Sequence, residues 1–301
     1  MTLGPTLTPE DIVREVRNLP SAPRVLPRLK RLLGDGNSSM HEIVALIRLD
    51  PGIAARVLQT ANSAYFSQGI VCATVDEAVN RVGYDQVYSL LSYAVASQVL
   101  VRPVEAYGID ADELWKMSVA CALAAEALAE RLGQDRKIAY TIGLLHGLGM
   151  VAIDEWALRH APGLLLANAG FPHEAVASER AQLGFTQADV GGALLSEWEF
   201  PETMSQPLRW QYAPSAAGTH TRMAGLLTAA KWIRTSICGK PGGSPRPPQP
   251  EALQRLGLTP TALDGVVTLV ARRLADVSSL LDVAGDCRSG ARHFPTPPGR
   301  E

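Results

Sequence analysis

Apolar residues along this chain recur three and four positions apart, the period of a helix with one buried stripe. Val25, Leu26, Leu29, Leu32 and Leu33 form such a stripe, predicting a helix from Pro23 to Leu33 that stops at Gly34. Ile53, Ala54, Val57, Leu58 and Ala61 form another, in a helix that Asp50-Pro51 starts and that ends near Asn62. Thr8-Pro9-Glu10-Asp11 opens a helix that must stop before Pro20. Ser38 or Ser39 opens one through Leu49, and Thr74 opens a short one ending at Gly83. A longer helix follows over 85–101, then a connection from Pro103 to Asp110. The pattern next predicts helices over 111–132, 135–146, 148–158, 172–182, 186–198, 201–211 and 219–237. No stretch sustains the period-two alternation of a strand. The expected fold class is all-α.

Residues 239–250 read GKPGGSPRPPQP, a composition that fits a linker and neither a helix nor a packed core. Beyond it, Leu263, Val266, Val267, Val270, Leu274 and Val277 share one helical stripe. The last residues, 288–301, are rich in Pro, Gly and Arg and are expected to be disordered. The expected organisation is an N-terminal extension (1–14), a first helical subdomain (15–110) and a second (111–238). The linker (239–250), C-terminal helices (251–287) and tail complete it. Whether the C-terminal helices dock on their own chain or on another subunit is open.

Composition narrows the function classes. The 301 residues are 47% hydrophobic and only 6% aromatic, which favours helix over strand. Lys and Arg number 28 against 30 Asp and Glu, a net charge of −2, so a dedicated nucleic-acid binder is not expected. The local cluster Arg24, Arg28, Lys30 and Arg31 reads as the solvated face of a helix. The four cysteines, Cys72, Cys121, Cys238 and Cys287, lie far apart without a metal-ligand spacing. They fit a reducing, cytoplasmic setting. Met1–Glu10 lacks a signal-peptide pattern. The longest uncharged stretch, Gln86–Val101, falls short of a membrane span, so no membrane insertion is expected.

Three stretches, in order, carry a family likeness. The first is Leu19-Pro20-Ser21-Ala22-Pro23-Arg24-Val25-Leu26. The second runs from Asp50-Pro51-Gly52 through Ala61-Asn62-Ser63-Ala64-Tyr65. The third is Gly143-Leu144-Leu145-His146-Gly147-Leu148-Gly149. With Ala78, Gly83, Trp115, Ser118, Gly184, Gly191, Leu194, Trp198 and Pro201, they make residues 15–235 resemble the HDOD family. That family is a regulatory branch related to the HD-domain phosphohydrolases. The resemblance implies an N-terminal helical subdomain packed on an HD-like bundle. It also implies a role in bacterial signalling, beside response-regulator or cyclic-di-GMP modules, without hydrolase activity.

A working HD site gathers His and Asp side chains on one or two divalent metals, which lower the pKa of bound water. Here the eponymous pair is His146-Gly147, and glycine offers no ligand. By the resemblance, further ligand positions have become Met117, Gln187 and Gln211-Tyr212, and Lys231 falls near a former acidic position. A lone imidazole does not hold a catalytic metal, so no metal and no cofactor are expected. His146 reads either as a helix-end histidine meeting a buried polar neighbour or as part of a relic pocket. Such a pocket would bind an anion or nucleotide through His146, Gln187, Gln211, Tyr212 and Lys231. Pro20, Pro23, Asp50, Pro51, Asn62 and Ser63 read as structural. Asp50 serves as an N-cap, while Asn62 and Ser63 close a helix end or bond across the subdomain boundary. A partner-binding surface at that boundary is the functional alternative.

Other catalytic patterns, GxSxG, a Walker loop and HExxH, do not occur. Glu197 and Glu199 point to different helix faces, and Gly191-Gly192 reads as close helix packing. The leading expectation is a non-enzymatic regulatory module that contacts signalling proteins in trans. One alternative is a nucleotide or small-anion receptor. Another is a divergent metal-dependent phosphohydrolase using Asp154, Glu155, His160 or Asp189.

Overall fold

The computed structural model describes residues 7–15, 25, 28, 31–32, 38–63, 65–67, 70–83, 86–87, 103–166, 172–239, 248 and 250–282. Among them the regular elements are helices, and one antiparallel bridge joins Val104 to Ile109. None of these helices is long and apolar enough to cross a membrane.

The first block holds α1 (Pro9–Glu15), α2 (Met40–Ile47), α3 (Pro51–Asn62) and α4 (Val75–Val82). Each begins where a side chain satisfies backbone N–H groups that the helix leaves open. Thr8 and Asp11 cap α1 reciprocally, at 3.2 Å and 3.0 Å. Ser39, not Ser38, caps α2 in a reciprocal box with Glu42. The buried Asp50 accepts from Ile53 N at 2.9 Å, with Pro51 following as the first helical residue of α3. Thr74 caps α4 through Glu77 N at 3.2 Å. Pro20 and Pro23 lie outside the described residues, as do the linker core and the tail. Of the helices expected over 23–33 and 85–101, only Val25, Arg28, Arg31, Leu32, Gln86 and Val87 are described, all helical.

Asn62 behaves differently from expectation. Its side chain neither closes α3 nor reaches the second block. It clamps the backbone of Cys72, accepting from the N–H at 2.7 Å and donating to the C=O at 3.0 Å. Both Cys72 groups are buried, so the amide, with one donor and one acceptor end, suits them where an acid would not. Ser63 does close α3, donating to Thr60 O at 2.7 Å.

The second block holds α5 (Ala111–Leu132), α6 (Arg136–Leu145), α7 (Leu148–His160), α8 (Pro172–Leu183), α9 (Gln187–Glu197), α10 (Glu202–Arg209) and α11 (Thr221–Cys238). Helix α5 is the axis, with Ala120–Ala125 buried and α6, α11 and the C-terminal α13 packed around it. Small residues permit the close approach. A Cβ on Gly143 of α6 would lie 2.8 Å from the Ala122 backbone. One on Gly149 of α7 would lie 1.8 Å from the carbonyl oxygen of Gln187. Gly191 and Gly192 likewise admit Leu208 and Arg209 of α10.

The blocks meet where α2 ends. Trp115 Nε1 donates to Leu49 O at 2.9 Å and Tyr140 Oη to Arg48 O at 2.7 Å, so two aromatic groups cap the loose carbonyls of α2. The Arg48 guanidinium lies 4.4 Å from the Tyr140 ring centroid. Helix α1 packs on α7 and α9 of the second block, burying Ile12 and Val13, and Glu15 meets His160 at 2.6 Å.

Past the linker, α12 (Pro250–Leu256) and α13 (Pro260–Asp282) are separated by Gly257, whose φ of +76° is left-handed. Within this chain α13 lies on the core. Leu263, Val266 and Val270 are buried as α13 packs on α5 and α11.

Candidate functional site

His146 and Gly147 form the joint between α6 and α7. The His146 ring is buried, with Nδ1 2.7 Å from Gly143 O and Nε2 2.9 Å from Arg234 Nη1. A carbonyl only accepts and a guanidinium only donates. Nδ1 therefore carries the proton, and the Nε2 lone pair accepts from Arg234. Burial first, then the charges of Arg234 and Lys231, hold the imidazole well below its ordinary range, which agrees with a neutral ring.

A chain of polar contacts runs on from this ring. Gln211 Nε2 donates to His146 O at 3.4 Å and to Leu208 O at 2.9 Å. Its Oε1 accepts from Lys231 Nζ at 2.7 Å. That ammonium nitrogen sits 3.5 Å from the centroid of the Tyr212 ring. Gln187 Nε2 donates to Tyr212 Oη at 2.8 Å, while Gln187 Oε1 is buried without a hydrogen-bond partner. Lys231 is 2% exposed; burial, then Arg234, push its pKa well below the usual lysine range. The structure thus brings together His146, Gln187, Gln211, Tyr212 and Lys231. They fill the space between their helices by bonding to one another.

Met117 belongs to the hydrophobic core, and Gly147 starts α7 beside apolar side chains. Met117 is buried on α5, one turn from Leu114. A Cβ on Gly147 would meet Met150 Cε at 3.0 Å and Leu114 Cδ1 at 3.9 Å. The direction in which an acid would project from position 147 is thus occupied by apolar side chains.

Two participants escaped the sequence reading. Arg234 stands one turn beyond Lys231 on α11, among the buried Leu226, Leu227, Ala230 and Ile233. Two cations on the apolar stripe of a helix were the available signal. Glu179 is fully buried on α8, accepting from Tyr107 Oη at 2.8 Å and from Gln187 N at 3.0 Å. Burial pushes its carboxyl up to about 7 against the two hydrogen bonds that favour the anion. The amphipathic signal of α8 is too weak to mark which face is buried.

The acids weighed as substitute ligands each have other work. Asp154 accepts from Ala106 N at 2.8 Å, and Glu155 pairs with Arg159 at 2.6 Å. Asp189 caps α9 through Thr186 at 2.9 Å, and His160 pairs with Glu15. No group of three or more His, Cys, Asp or Glu suited to a metal occurs among the described residues.

The chain is thus a helical bundle, in which His146 and Gly147 join α6 to α7, beside a smaller helical block. The HDOD domain profile matches residues 19–214, and the chain belongs to that family. An uncharacterized protein of Treponema pallidum (strain Nichols) is 28% identical over 207 residues, 67% of this chain and 39% of its own length. The chain therefore spans about two fifths of that curated relative. The crystal structure of the MmoQ response regulator from Methylococcus capsulatus str. Bath superposes with a TM-score of 0.62 at 24% identity, covering 83% of this chain and 98% of that one. A virulence factor from Campylobacter jejuni subsp. jejuni gives 0.62 at 17%, covering 89% and 100%. At such identities the structures speak for the fold alone.

Proposed function

We infer that this HDOD protein is a non-enzymatic, cytoplasmic signalling module that works through contacts with other proteins. The observation that carries the reading is the pairing of His146 Nε2 with Arg234. That lone pair is the one the ring would offer a metal, since Nδ1 is committed to Gly143 O. Around it stand a guanidinium, the Lys231 side chain, two amides and a phenol, a set that does not fit a divalent cation. No hydrolytic step is derived through such a site. A nucleotide held within the former site is less well supported, because its polar groups, Gln187 Oε1 apart, already satisfy one another.

Contact with a partner is supported by the loop between α3 and α4. There Tyr65 and Ile70 are 85% and 68% exposed, beside the half-exposed Val71. The name of the Methylococcus relative, a response regulator, is in keeping with a partner from the same signalling class.

Elemental analysis of protein purified without chelator, with release of nitrophenol from bis-p-nitrophenyl phosphate in added Mn, tests the reading. No stoichiometric metal and no turnover are expected. Bound metal with turnover that His146→Ala abolishes would overturn it.

A further inference from the structure

An opening lies beside the former site. A cavity of about 510 Å³ lies between α11, α12 and the turns that follow Tyr212. That volume falls in the ~300–1,000 Å³ range of small-molecule sites. Leu253 and Leu256 of α12 line it, and both are buried. Gly225 lets α12 come close, since a Cβ there would lie 3.2 Å from Leu256 Cδ2.

The polar part of the lining has one sign. Arg222 and Arg255 line the cavity with exposed side chains, and among the described residues no Asp or Glu lines it. Arg222 is held in place by donating to Leu132 O at 3.2 Å. The Thr228 hydroxyl also lines it, and donates to Gln211 O at 2.9 Å. We propose that this cleft binds a small organic anion with an apolar body, its charge on Arg222 and Arg255 and its body against Leu253 and Leu256.

The site reaches the core of the molecule through two residues. Tyr212 lines the cleft, and its ring also carries Lys231 Nζ. Thr228 bonds the backbone of Gln211, whose side chain bonds Lys231 and the His146 carbonyl. A ligand in the cleft therefore touches Tyr212 directly and Gln211 through Thr228, the two residues that flank Lys231. The assignment stands apart from the non-enzymatic reading and survives or fails without it.

Calorimetric titration of the full chain with decanoate, decanol and decylammonium tests the charge and the body together. Decanoate is expected to bind saturably, and the neutral and cationic chains at least about tenfold more weakly. Arg222→Gln and Arg255→Gln should each weaken decanoate about fivefold and leave decanol unchanged. Ala252→Trp, at an exposed position of α12 that lines the cleft, should remove saturable binding while thermal unfolding stays as in the wild type. Equal binding of the three chains, binding indifferent to the two arginines and to Ala252→Trp, or no saturable decanoate binding at millimolar concentration would each overturn the proposal.

Discussion

Lys231 offers a sharp test of how charge is held inside this fold. It is enclosed by Gln211, Tyr212 and the nearby charge of Arg234, and burial holds its pKa well below the usual value. In the unfolded chain the same amine titrates near ~10.4. Between these two pKa values the unfolded state binds one more proton than the native state. Stability therefore rises with pH through that window, by about 1.36 kcal/mol for each pH unit. The most this one group can add from pH 7 to pH 9 is therefore about 3 kcal/mol. Lys231→Met removes the proton and keeps the bulk. It also leaves Gln211 Oε1 without its donor, a cost of about 1–3 kcal/mol that does not vary with pH. Groups distant from Lys231 are shared by both proteins and cancel in the difference, whereas Cys121 and Glu179 feel the Lys231 charge and contribute to it. Equilibrium urea unfolding, followed by far-UV circular dichroism at the two pH values, measures that difference. The wild type should gain stability on the variant as pH rises from 7 to 9, by up to about 3 kcal/mol. Parallel profiles would refute the reasoning. They would mean that Lys231 stays charged, with the Tyr212 ring and Gln211 offsetting its burial.

Three further substitutions probe the packing. Gly149→Ala places a Cβ 1.8 Å from Gln187 O, so α7 and α9 must part. A loss of about 3 kcal/mol or more should show in denaturant unfolding, and an unchanged midpoint would contradict the close contact. Asn62→Ala strands both backbone groups of the buried Cys72 and should cost about 2–4 kcal/mol. Asn62→Asp keeps one acceptor and should fall between the alanine variant and the wild type. Glu199 has a φ of +57° just past the end of α9, and Phe200 N donates to Leu195 O at 2.9 Å across that turn. Glu199→Gly should therefore stabilise the protein by about 1 kcal/mol, read as a rise in the unfolding midpoint.

The parts of the fold that were legible in the sequence are those with local causes. Asp50-Pro51, Thr74 and Thr8-Pro9 announce helix starts because the cap and its N–H partner lie within three residues. The pairing of α1 with α7 and α9 has no such local mark. Ile12 and Val13 are an apolar pair like many others until the fold supplies their neighbours. Gly149 could be seen as a glycine, yet nothing in the sequence says that a carbonyl lies against it. At the site, family likeness marked the positions of His146, Gln187, Gln211 and Tyr212. It did not mark Arg234, because that residue answers a need of the imidazole that arises only once α11 crosses the joint. Glu179 is hidden for a similar reason. Its partners, Tyr107 and the N-terminus of α9, come from segments 72 and 8 residues away.

The span that the family profile covers ends at residue 214, and α11 begins at Thr221. The cations that engage the His146 ring and its neighbours thus come from outside the recognised domain. A fragment cut at 214 would bare the α5 face that α11 covers and would leave the His146 nitrogen unmatched. Loss of solubility in such a fragment would then say nothing about the ancestral domain. Swapping domains between relatives at that boundary would likewise exchange a histidine from one lineage for a counterpart shaped in another. The natural cut lies after α13, where the helix that seals α5 and α11 is complete.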